Sequence, residues 1–316
     1  MSVAHQTKTC NDLLKEYLAK PSACTNPLKL RFDGVGRNDV YNITAPFEDD
    51  GEQIIAGRVE SRESEQSEIV FFVEREGVWT RHKDLPTFAL QDPFHTRIGG
   101  ELIIGGVQTY PHPEKENFLA WRTVFYRGSS IRNLSPFFTG PKGMKDIRLI
   151  GLADGTVGVF TRPQGTIGGL GKIGFTRIAS LDELTVEAID EAYLFEGQFI
   201  DAEWGGANEA HLLAGGRIGV LGHSACYDER MDRHYYPMVF TWDPETNSLT
   251  EIELIAVRDD FLPGMAKRID LRDVVFSGGL IRNGDGTAHL YAGIGDAEAH
   301  RITIPDPFVP FEAKGA

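Results

Sequence analysis

Short apolar runs with the length of β-strands recur along the whole chain, and most of them end at a glycine or an acidic turn. Helical periodicity is confined to the opening segment NDLLKEYLAK and to LDELTVEAIDEAYLF at residues 181–195. The pattern therefore predicts an all-β protein with a short N-terminal helix. The clearest predicted strands are Gln53–Val59, Ile69–Val73, Glu101–Val107, Leu119–Tyr126, Ile147–Leu152, Val157–Thr161, Arg217–Gly222, Met238–Trp242, Asp273–Phe276 and Ala288–Ala292.

One larger pattern repeats five times: a polar start, a strand, an acidic or glycine turn, and a second strand with a polar end. The spacing of about fifty to seventy residues suits four-stranded propeller blades. A parallel α/β fold would need a helical crossover between most strands, which the pattern lacks. We expect a single five-bladed β-propeller domain over residues 1–316, with a helical extension at about residues 1–27. The copies are DVYNITAPFEDDGEQIIAGRVE, QDPFHTRIGGELIIGGV, KDIRLIGLADGTVGVFTRP, NEAHLLAGGRIGVLGHSA and RDVVFSGGLIRNGDGTAHLYAGIGD.

Composition limits the partners and the cellular location that we expect for this protein. The 35 glycines suit many tight turns, and a formal net charge of −14 argues against a nucleic-acid partner. The sequence has neither a signal peptide nor an apolar run of about eighteen residues, so we expect no membrane partner. Cys10, Cys24 and Cys226 fit no zinc or redox spacing. These features predict a cytosolic protein without a metal site and leave its oligomeric state open.

The repeats also predict where function lies. In a propeller, the start of the first strand and the end of the second strand in each blade lie near the central axis. Carboxylates, arginines, a lysine and a histidine occupy these positions, an arrangement that is costly unless something polar binds there. The predicted ring contains Asn42, Arg58, Glu60, Asp92, Lys145, Asp146, Arg162, Glu209, His223, Asp273 and Asp296.

The order and spacing of these residues resemble a known group of enzymes over roughly residues 30–308. They resemble glycoside hydrolase family 130, the inverting β-mannoside phosphorylases, which are five-bladed propellers. The resemblance is closer to glycosyltransferase family 108, which builds and degrades β-1,2-linked mannose oligomers, and to conserved proteins of formerly unknown function. The matching pieces are Asn42, Arg58-Val59-Glu60, Asp92-Pro93, Lys145-Asp146, Arg162-Pro163, Gly222-His223 and Asp273-Val274-Val275-Phe276 followed by Gly278 and Gly279.

The resemblance implies an inverting phosphorolysis or its reverse, with inorganic phosphate as co-substrate and no further cofactor. Its partners would be a mannose oligosaccharide with mannose 1-phosphate or phosphate. Asp92 matches the family's catalytic acid. Arginine and lysine form strong charge-assisted bonds to phosphate, and the expected phosphate-binding set is Arg58, Lys145, Arg162, His223 and Tyr235. The expected substrate-binding set is Asn42, Glu60, Asp146, Glu209, Asp273, Asp296 and Trp204.

One position departs from the family. The phosphorylases usually carry an arginine directly after the Asp-Pro pair, whereas Phe94 and His95 stand here. Arg97 is the nearest residue that could supply the charge.

Other interpretations remain open at this point. Asp92 could cap a turn, Arg58 could form a buried bridge with Glu60 or Asp92, and Trp204 could be core. A GDP-mannose-dependent mannosyltransferase would use the same cationic residues. An inverting glycoside hydrolase would need two facing carboxylates, for which Asp39, Asp92 or Asp146 with Glu209 are candidates. A non-catalytic sugar-binding propeller would need neither.

Overall fold

Strands dominate the computed structural model, which describes residues 7–312. The first six residues of the predicted N-terminal extension and the last four residues of the predicted domain lie outside this range. The predicted β class is confirmed. No helix between residues 7 and 312 has the length and apolarity that a membrane crossing requires.

The N-terminal helix α1 spans Cys10–Leu18 and confirms the predicted opening helix. It begins there because the Thr9 hydroxyl accepts a hydrogen bond from Asp12 N while the Asp12 carboxylate accepts from Thr9 N, which is a capping box. The buried face of α1 includes Leu13, which packs with residues of two sheets. The chain after this helix is not helical up to residue 27, because strand β1 begins at Thr25.

Most strands form antiparallel groups in chain order. The strands up to the end of the first sheet are β1 (Thr25–Lys29), β2 (Phe32–Asp33), β3 (Asp39–Tyr41), β4 (Phe47–Asp49), β5 (Glu52–Glu60), β6 (Ser67–Arg75) and β7 (Val78–Arg81). In this sheet β3 and β4 both pair with β5, and β2 pairs in parallel with β7.

The second and third sheets are four-stranded antiparallel meanders. The second contains β8 (Gln91–Ile98), β9 (Glu101–Pro111), β10 (Leu119–Gly128) and β11 (Ser135–Thr139). The third contains β12 (Arg148–Gly151), β13 (Val157–Thr161), β14 (Gly174–Ile178) and β15 (Tyr193–Leu194).

The fourth and fifth sheets are joined, since β18 pairs in parallel with β21 through His234 and Asp273. In the fourth sheet β19 and β20 both pair with β18. In the fifth, β1 pairs with β23, so a strand from the N-terminus completes the last sheet. These strands are β16 (Trp204–Leu212), β17 (Ile218–Tyr227), β18 (Arg233–Asp243), β19 (Ser248–Leu249), β20 (Glu253–Leu254), β21 (Asp273–Arg282), β22 (Thr287–Ile294) and β23 (Glu298–Pro305).

Only Val186–Asp190 of the predicted helix over residues 181–195 is α-helical. The segment forms a 3-10 turn (Leu181–Glu183), the short helix α3 (Val186–Asp190) and strand β15. Leu184 has an extended backbone, and the Thr185 hydroxyl caps α3 by accepting from Ala188 N. Tertiary packing outweighs helix propensity here, because Leu181, Leu184 and Ile189 are buried against neighbouring strands. Two further short helices are α2 (Gly165–Gly168) and α4 (Val309–Glu312).

The hydrophobic core lies between consecutive sheets. Ile103 and Phe125 of the second sheet, for example, pack with Leu149 and Val159 of the third. Because consecutive sheets pack their facing sides together, the polar residues near the starts of the first strands are held on a rigid support.

Candidate active site

All five sheets contribute side chains to one cavity of about 440 Å³. Eight of the predicted site residues line it: Asn42, Arg58, Asp92, Lys145, Arg162, Trp204, Tyr235 and Asp296. Buried directly behind its lining residues are Glu60, Asp146 and His223, which contact Arg58, Arg162 and Tyr235 respectively. The structure thus brings together residues that are up to 254 positions apart, from Asn42 to Asp296.

Irregular backbone turns these polar side chains inward. β8 has a register shift between Gln91 and Phe94, which contains Asp92, and β16 has one between Ala207 and Glu209, which contains Asn208. Asn42, Asp92, Asp146 and Asp296 all have positive φ, between 44° and 60°. Asn and Asp tolerate this left-handed region better than other residues with a Cβ atom. Such backbone strain concentrates at functional sites.

One side of the cavity, which we call the acidic wall, consists of Asn42, Arg58, Glu60, Asp92 and Asp296. Asp92 Oδ1 accepts hydrogen bonds from Asn42 Nδ2 at 2.8 Å and from Arg58 Nη1 at 3.1 Å. Arg58 also donates to Glu60 at 2.6 Å. Within residues 7–312 no group donates a hydrogen bond to Asp92 Oδ2, so this oxygen is available to a ligand.

In the acidic wall, neighbouring charges oppose the effect of burial on the pKa values of Arg58 and Glu60. Burial alone would lower the pKa of Arg58, but the negative charges of Asp92 and Glu60 raise it, so the guanidinium stays charged. Burial would raise the pKa of Glu60, but Arg58 and Lys267 hold it below its usual value. Burial raises the pKa of Asp296, which faces the other carboxylates of this wall.

The other side, the cationic wall, consists of Lys145, Asp146, Arg162, His223 and Tyr235. Asp146 Oδ2 lies 3.3 Å from Arg162 Nη1. The His223 ring stacks on the Tyr235 ring with centroids 5.2 Å apart, and Tyr235 accepts a hydrogen bond from Trp204 Nε1. Lys145 has no hydrogen bond or ion pair within residues 7–312. It therefore offers the cavity a positive charge that is not engaged in an ion pair with a described residue.

Burial acts differently on Asp146 and His223 of this wall. It would raise the pKa of the Asp146 carboxyl, but the charges of Arg162 and Arg148 lower that pKa to about 2. It lowers the pKa of His223 to about 3, against the opposing charge of Asp146. At neutral pH Asp146 is therefore a carboxylate and His223 a neutral imidazole.

The glycine-rich segment after Arg162 closes over this wall, with Gln164 and Leu170 lining the cavity. Gly171 has a φ of 147°, and a Cβ atom there would stand 2.7 Å from the Arg162 guanidinium. Glycine at this position therefore lets the loop approach the arginine.

Four predicted substrate-binding residues do not line the cavity: Glu60 and Asp146 lie behind its lining residues, and Glu209 and Asp273 make contacts elsewhere. Glu209 lines a separate cavity of about 370 Å³ together with His95 and His211. The extra residue at the β16 bulge gives the inward position to Asn208, and Glu209 instead accepts a hydrogen bond from Leu280 N at 2.7 Å. Asp273 accepts from Tyr236 OH at 3.1 Å and pairs with His234, so it braces β18.

Sequence reasoning missed several lining residues. Gln91 directly precedes Asp92, a position that could have suggested it. Trp121, Arg233 and Arg268 lie on outer strands or loops, and nothing in the repeats pointed to them. Arg233 and Arg268 both pair with Asp270 at the cavity.

A thiol cluster also lies outside the predicted site, where the sequence suggested no metal. Ligand atoms of Cys10, Glu203 and Cys226 lie within 4.8 Å of one another, a grouping that could hold a metal ion. The Glu203 carboxylate accepts from Cys10 N, and Cys10 Sγ lies 3.1 Å from Ser224 Oγ. These contacts attach the start of α1 to the fourth sheet.

Two solved structures from Leishmania mexicana share this fold at substantial sequence identity. The chain is 34% identical to MPT-4, a mannose phosphorylase in complex with phosphate ion, with 94% of this chain and 93% of that chain covered and a TM-score of 0.86. It is 33% identical to MPT-1, a GDP-Man-dependent mannosyltransferase, with 95% of each chain covered and a TM-score of 0.86. This similarity supports a glycosyl-transferring enzyme.

A more distant structure shares the fold alone. It is a β-1,2-mannobiose phosphorylase from Listeria innocua, 14% identical, with 95% of this chain and 96% of that chain covered and a TM-score of 0.59. No curated protein sequence matches the chain.

A family profile described as "Protein of unknown function (DUF1861)" matches residues 16–310. The predicted resemblance is confirmed by this match and by the Leishmania structures. The chain belongs to the DUF1861 family, with the Leishmania mannosyltransferase and mannose phosphorylase as close structural relatives.

Proposed function

We propose that this protein transfers mannosyl groups by inverting phosphorolysis or its reverse, acting on β-1,2-linked mannose oligomers with mannose 1-phosphate as donor or product. The observation that carries the proposal is a single cavity in which the carboxylate of Asp92 and the unpaired ammonium of Lys145 both line the wall. A carboxyl group and an anion site are what this reaction needs, because the nucleophile is already an anion. The identity to a Leishmania mannose phosphorylase with bound phosphate supports the same reaction.

In the degradative direction, a phosphate oxygen bonds to the anomeric carbon as the glycosidic C–O bond breaks with inversion. The departing oxygen takes a proton from the Asp92 carboxyl group, directly or through a sugar hydroxyl. In the synthetic direction, the acceptor oxygen bonds to the anomeric carbon as phosphate leaves it, and the Asp92 carboxylate takes the proton of the acceptor hydroxyl. Arg58 and Asn42 hold Asp92 Oδ1, which orients Oδ2 for this transfer.

The cationic wall would hold the phosphate. Lys145 supplies a charge that needs no rearrangement, and Arg162 Nη1, 3.3 Å from Asp146 Oδ2, is buried without a hydrogen bond among the described residues. Tyr235 and the neutral His223 add polar hydrogens beside them. Preorganised donors of this kind bind an anion without first breaking other bonds.

We also propose that the five sheets are the blades of one propeller domain. Contacts between neighbouring sheets support a closed ring of five. Asn42 donates to Asp92 between the first and second sheets, and Arg148 lies over the Phe94 ring between the second and third. Arg148 Nε donates to Asn208 O between the third and fourth sheets, and Ser277 donates to Gly222 O between the fifth and fourth. Gly278 of the fifth sheet packs against Ile43, which follows β3 of the first. The three free cysteines support the cytosol as the place of action.

A second candidate is mannosyl transfer from GDP-mannose, which the identity to the Leishmania GDP-Man-dependent enzyme favours. Arg233 and Arg268 would then meet a diphosphate at the cavity. A hydrolase has less support, because Asp146 is paired with arginines and Glu209 lies in another cavity.

One assay tests both candidates. Purified protein is incubated with a β-1,2-linked mannose acceptor and either mannose 1-phosphate or GDP-mannose, and released phosphate and GDP are quantified. Phosphate release from mannose 1-phosphate supports phosphorolytic chemistry, and GDP release supports the second candidate. If neither donor is consumed with mannose or with its β-1,2-linked oligomers as acceptor, the proposal is wrong.

A further inference from the structure

Asn208 connects His223 of the cationic wall to the fifth sheet, and no sequence motif singled it out. Its side chain is buried at the β16 bulge, with the residue 3% exposed. The amide atom assigned as Oδ1 lies 2.8 Å from His223 Nδ1 and 3.3 Å from Ser277 Oγ. The other amide atom, Nδ2, has no hydrogen-bond partner among residues 7–312. Asn208 therefore contacts two polar groups through one end of its amide.

The number of protons on the Ser277 hydroxyl decides whether this end of the Asn208 amide is the oxygen or the nitrogen. The Ser277 hydroxyl has a single proton, and its oxygen lies 2.7 Å from the carbonyl oxygen of Gly222, which can only accept. That shorter contact uses the proton, so Ser277 Oγ can only accept from Asn208. The oxygen and nitrogen of an amide have nearly the same shape, and the hydrogen-bond network assigns them. The NH₂ group therefore faces Ser277 and His223.

In this orientation both amide protons have acceptors, one at Ser277 Oγ and the other at His223 Nδ1. One carbonyl oxygen remains without a partner. The opposite orientation leaves two buried N–H bonds unpaired, which is the costlier arrangement. Because burial lowers the pKa of His223 to about 3, the ring is neutral at pH 7 and carries one proton. If Nδ1 accepts, that proton is on Nε2.

We propose that Asn208 is a positioning residue that holds His223 in the Nε2–H tautomer, so that the ring nitrogen left for the cationic wall donates a hydrogen bond. The His223 ring shares a small space around Gly206 with Arg162 and Asp146 of the same wall. A Cβ atom there would lie 2.8 Å from His223 Cε1, 3.0 Å from Arg162 Cδ and 3.1 Å from Asp146 Oδ2. A fixed N–H donor suits an anionic oxygen and discriminates against a cation. That the anion is phosphate rests on the proposed function.

The tautomer can be measured on the unaltered protein. In ¹⁵N-histidine-labelled protein at pH 7, the His223 signals, assigned by comparison with His223→Gln, should show a protonated Nε2 and an unprotonated Nδ1. A protonated Nδ1 would overturn the inference. This measurement needs no ligand, so it stands even if the protein binds no phosphate, a result that would count against the proposed function alone.

The variant Asn208→Asp tests whether Asn208 is what holds His223 in the Nε2–H tautomer. A carboxylate cannot donate, so the His223 proton should move to Nδ1 and phosphate should bind about ten- to a hundredfold more weakly, as expected for one charge-assisted hydrogen bond. The change also adds a negative charge, and His223→Gln controls for this. In that background, where no tautomer exists, Asn208→Asp should weaken phosphate binding clearly less. An unchanged tautomer, or equal losses in both backgrounds, would contradict the role of Asn208. If Asn208→Asp does not fold, the spectrum of the unaltered protein decides.

Discussion

The two walls of the cavity handle charge in opposite ways. On the acidic wall Arg58 is shared between Asp92 and Glu60, and Asp296 forms no ion pair among the described residues. On the cationic wall Asp146 is held by two arginines, but Lys145 has no partner among the described residues. A paired cluster fixes the position of a reacting group, whereas an unpaired charge leaves binding energy for a ligand. The difference assigns proton transfer to the first wall and anion binding to the second.

The largest expected effect is on the acidic wall. Asp92→Asn keeps the shape and the acceptor oxygen for Asn42 and Arg58 but removes the acid–base group, so turnover should fall about 10²- to 10⁴-fold. Phosphate release from mannose 1-phosphate measures it. Asp39→Asn is the matched control, since Asp39 pairs with Arg62 and does not line the cavity. Equal losses in the two variants would remove the special role of Asp92.

Next in size is the loss of the free charge on the cationic wall. Lys145→Met should weaken phosphate binding about ten- to a hundredfold, because one charge-assisted hydrogen bond is lost without freeing a partner. Titration calorimetry with inorganic phosphate measures the change. Lys142→Met, three residues earlier on the exposed surface, should leave the affinity unchanged. Unaltered affinity in Lys145→Met would place the anion elsewhere.

Glu209 tests whether the separate cavity matters for catalysis. Glu209→Ala should leave turnover unchanged but lower the free energy of unfolding by about 1–3 kcal/mol, because the buried Leu280 N–H loses its acceptor. Urea unfolding and the phosphate-release assay measure the two quantities, and Glu209→Gln should restore part of the stability. A large fall in turnover for both variants would revive the two-carboxylate hydrolase.

The last prediction concerns acid stability of the cationic wall, to which each group contributes at most about 1.4 kcal/mol per pH unit. The pKa of His223 falls from 6.5 to about 3 on folding, and that of Asp146 from 3.8 to about 2. Both groups bind more protons when unfolded, so their contribution to stability is present above the unfolded pKa and declines as pH falls towards the folded pKa. The His223 part is lost from about pH 6.5 downwards and the Asp146 part from about pH 3.8.

Urea midpoints measured between pH 7.5 and 4 should therefore fall, and His223→Gln should reduce that fall. A variant with the same pH dependence as the unaltered protein would show that His223 is not buried as a neutral ring.

The pattern of apolar and polar residues along the chain predicted most of the longer strands. All the strands named from apolar runs are present, because strands that are buried on both faces leave short apolar runs in the sequence. The β1 strand left no such trace, since all five of its residues are exposed and it forms by pairing with β23 near the other end of the chain. The segment 181–195 has helical periodicity, yet Tyr193–Leu194 pairs with β14 instead.

The site was predictable in its members but not in their roles. Residue types at repeated positions sufficed to predict that Asp92, Lys145 and Arg162 share a cavity. Only the tertiary structure decided that Lys145 is unpaired and that Asn208, not Glu209, faces His223. Those outcomes depend on a one-residue bulge and on contacts between different sheets, which local sequence does not encode.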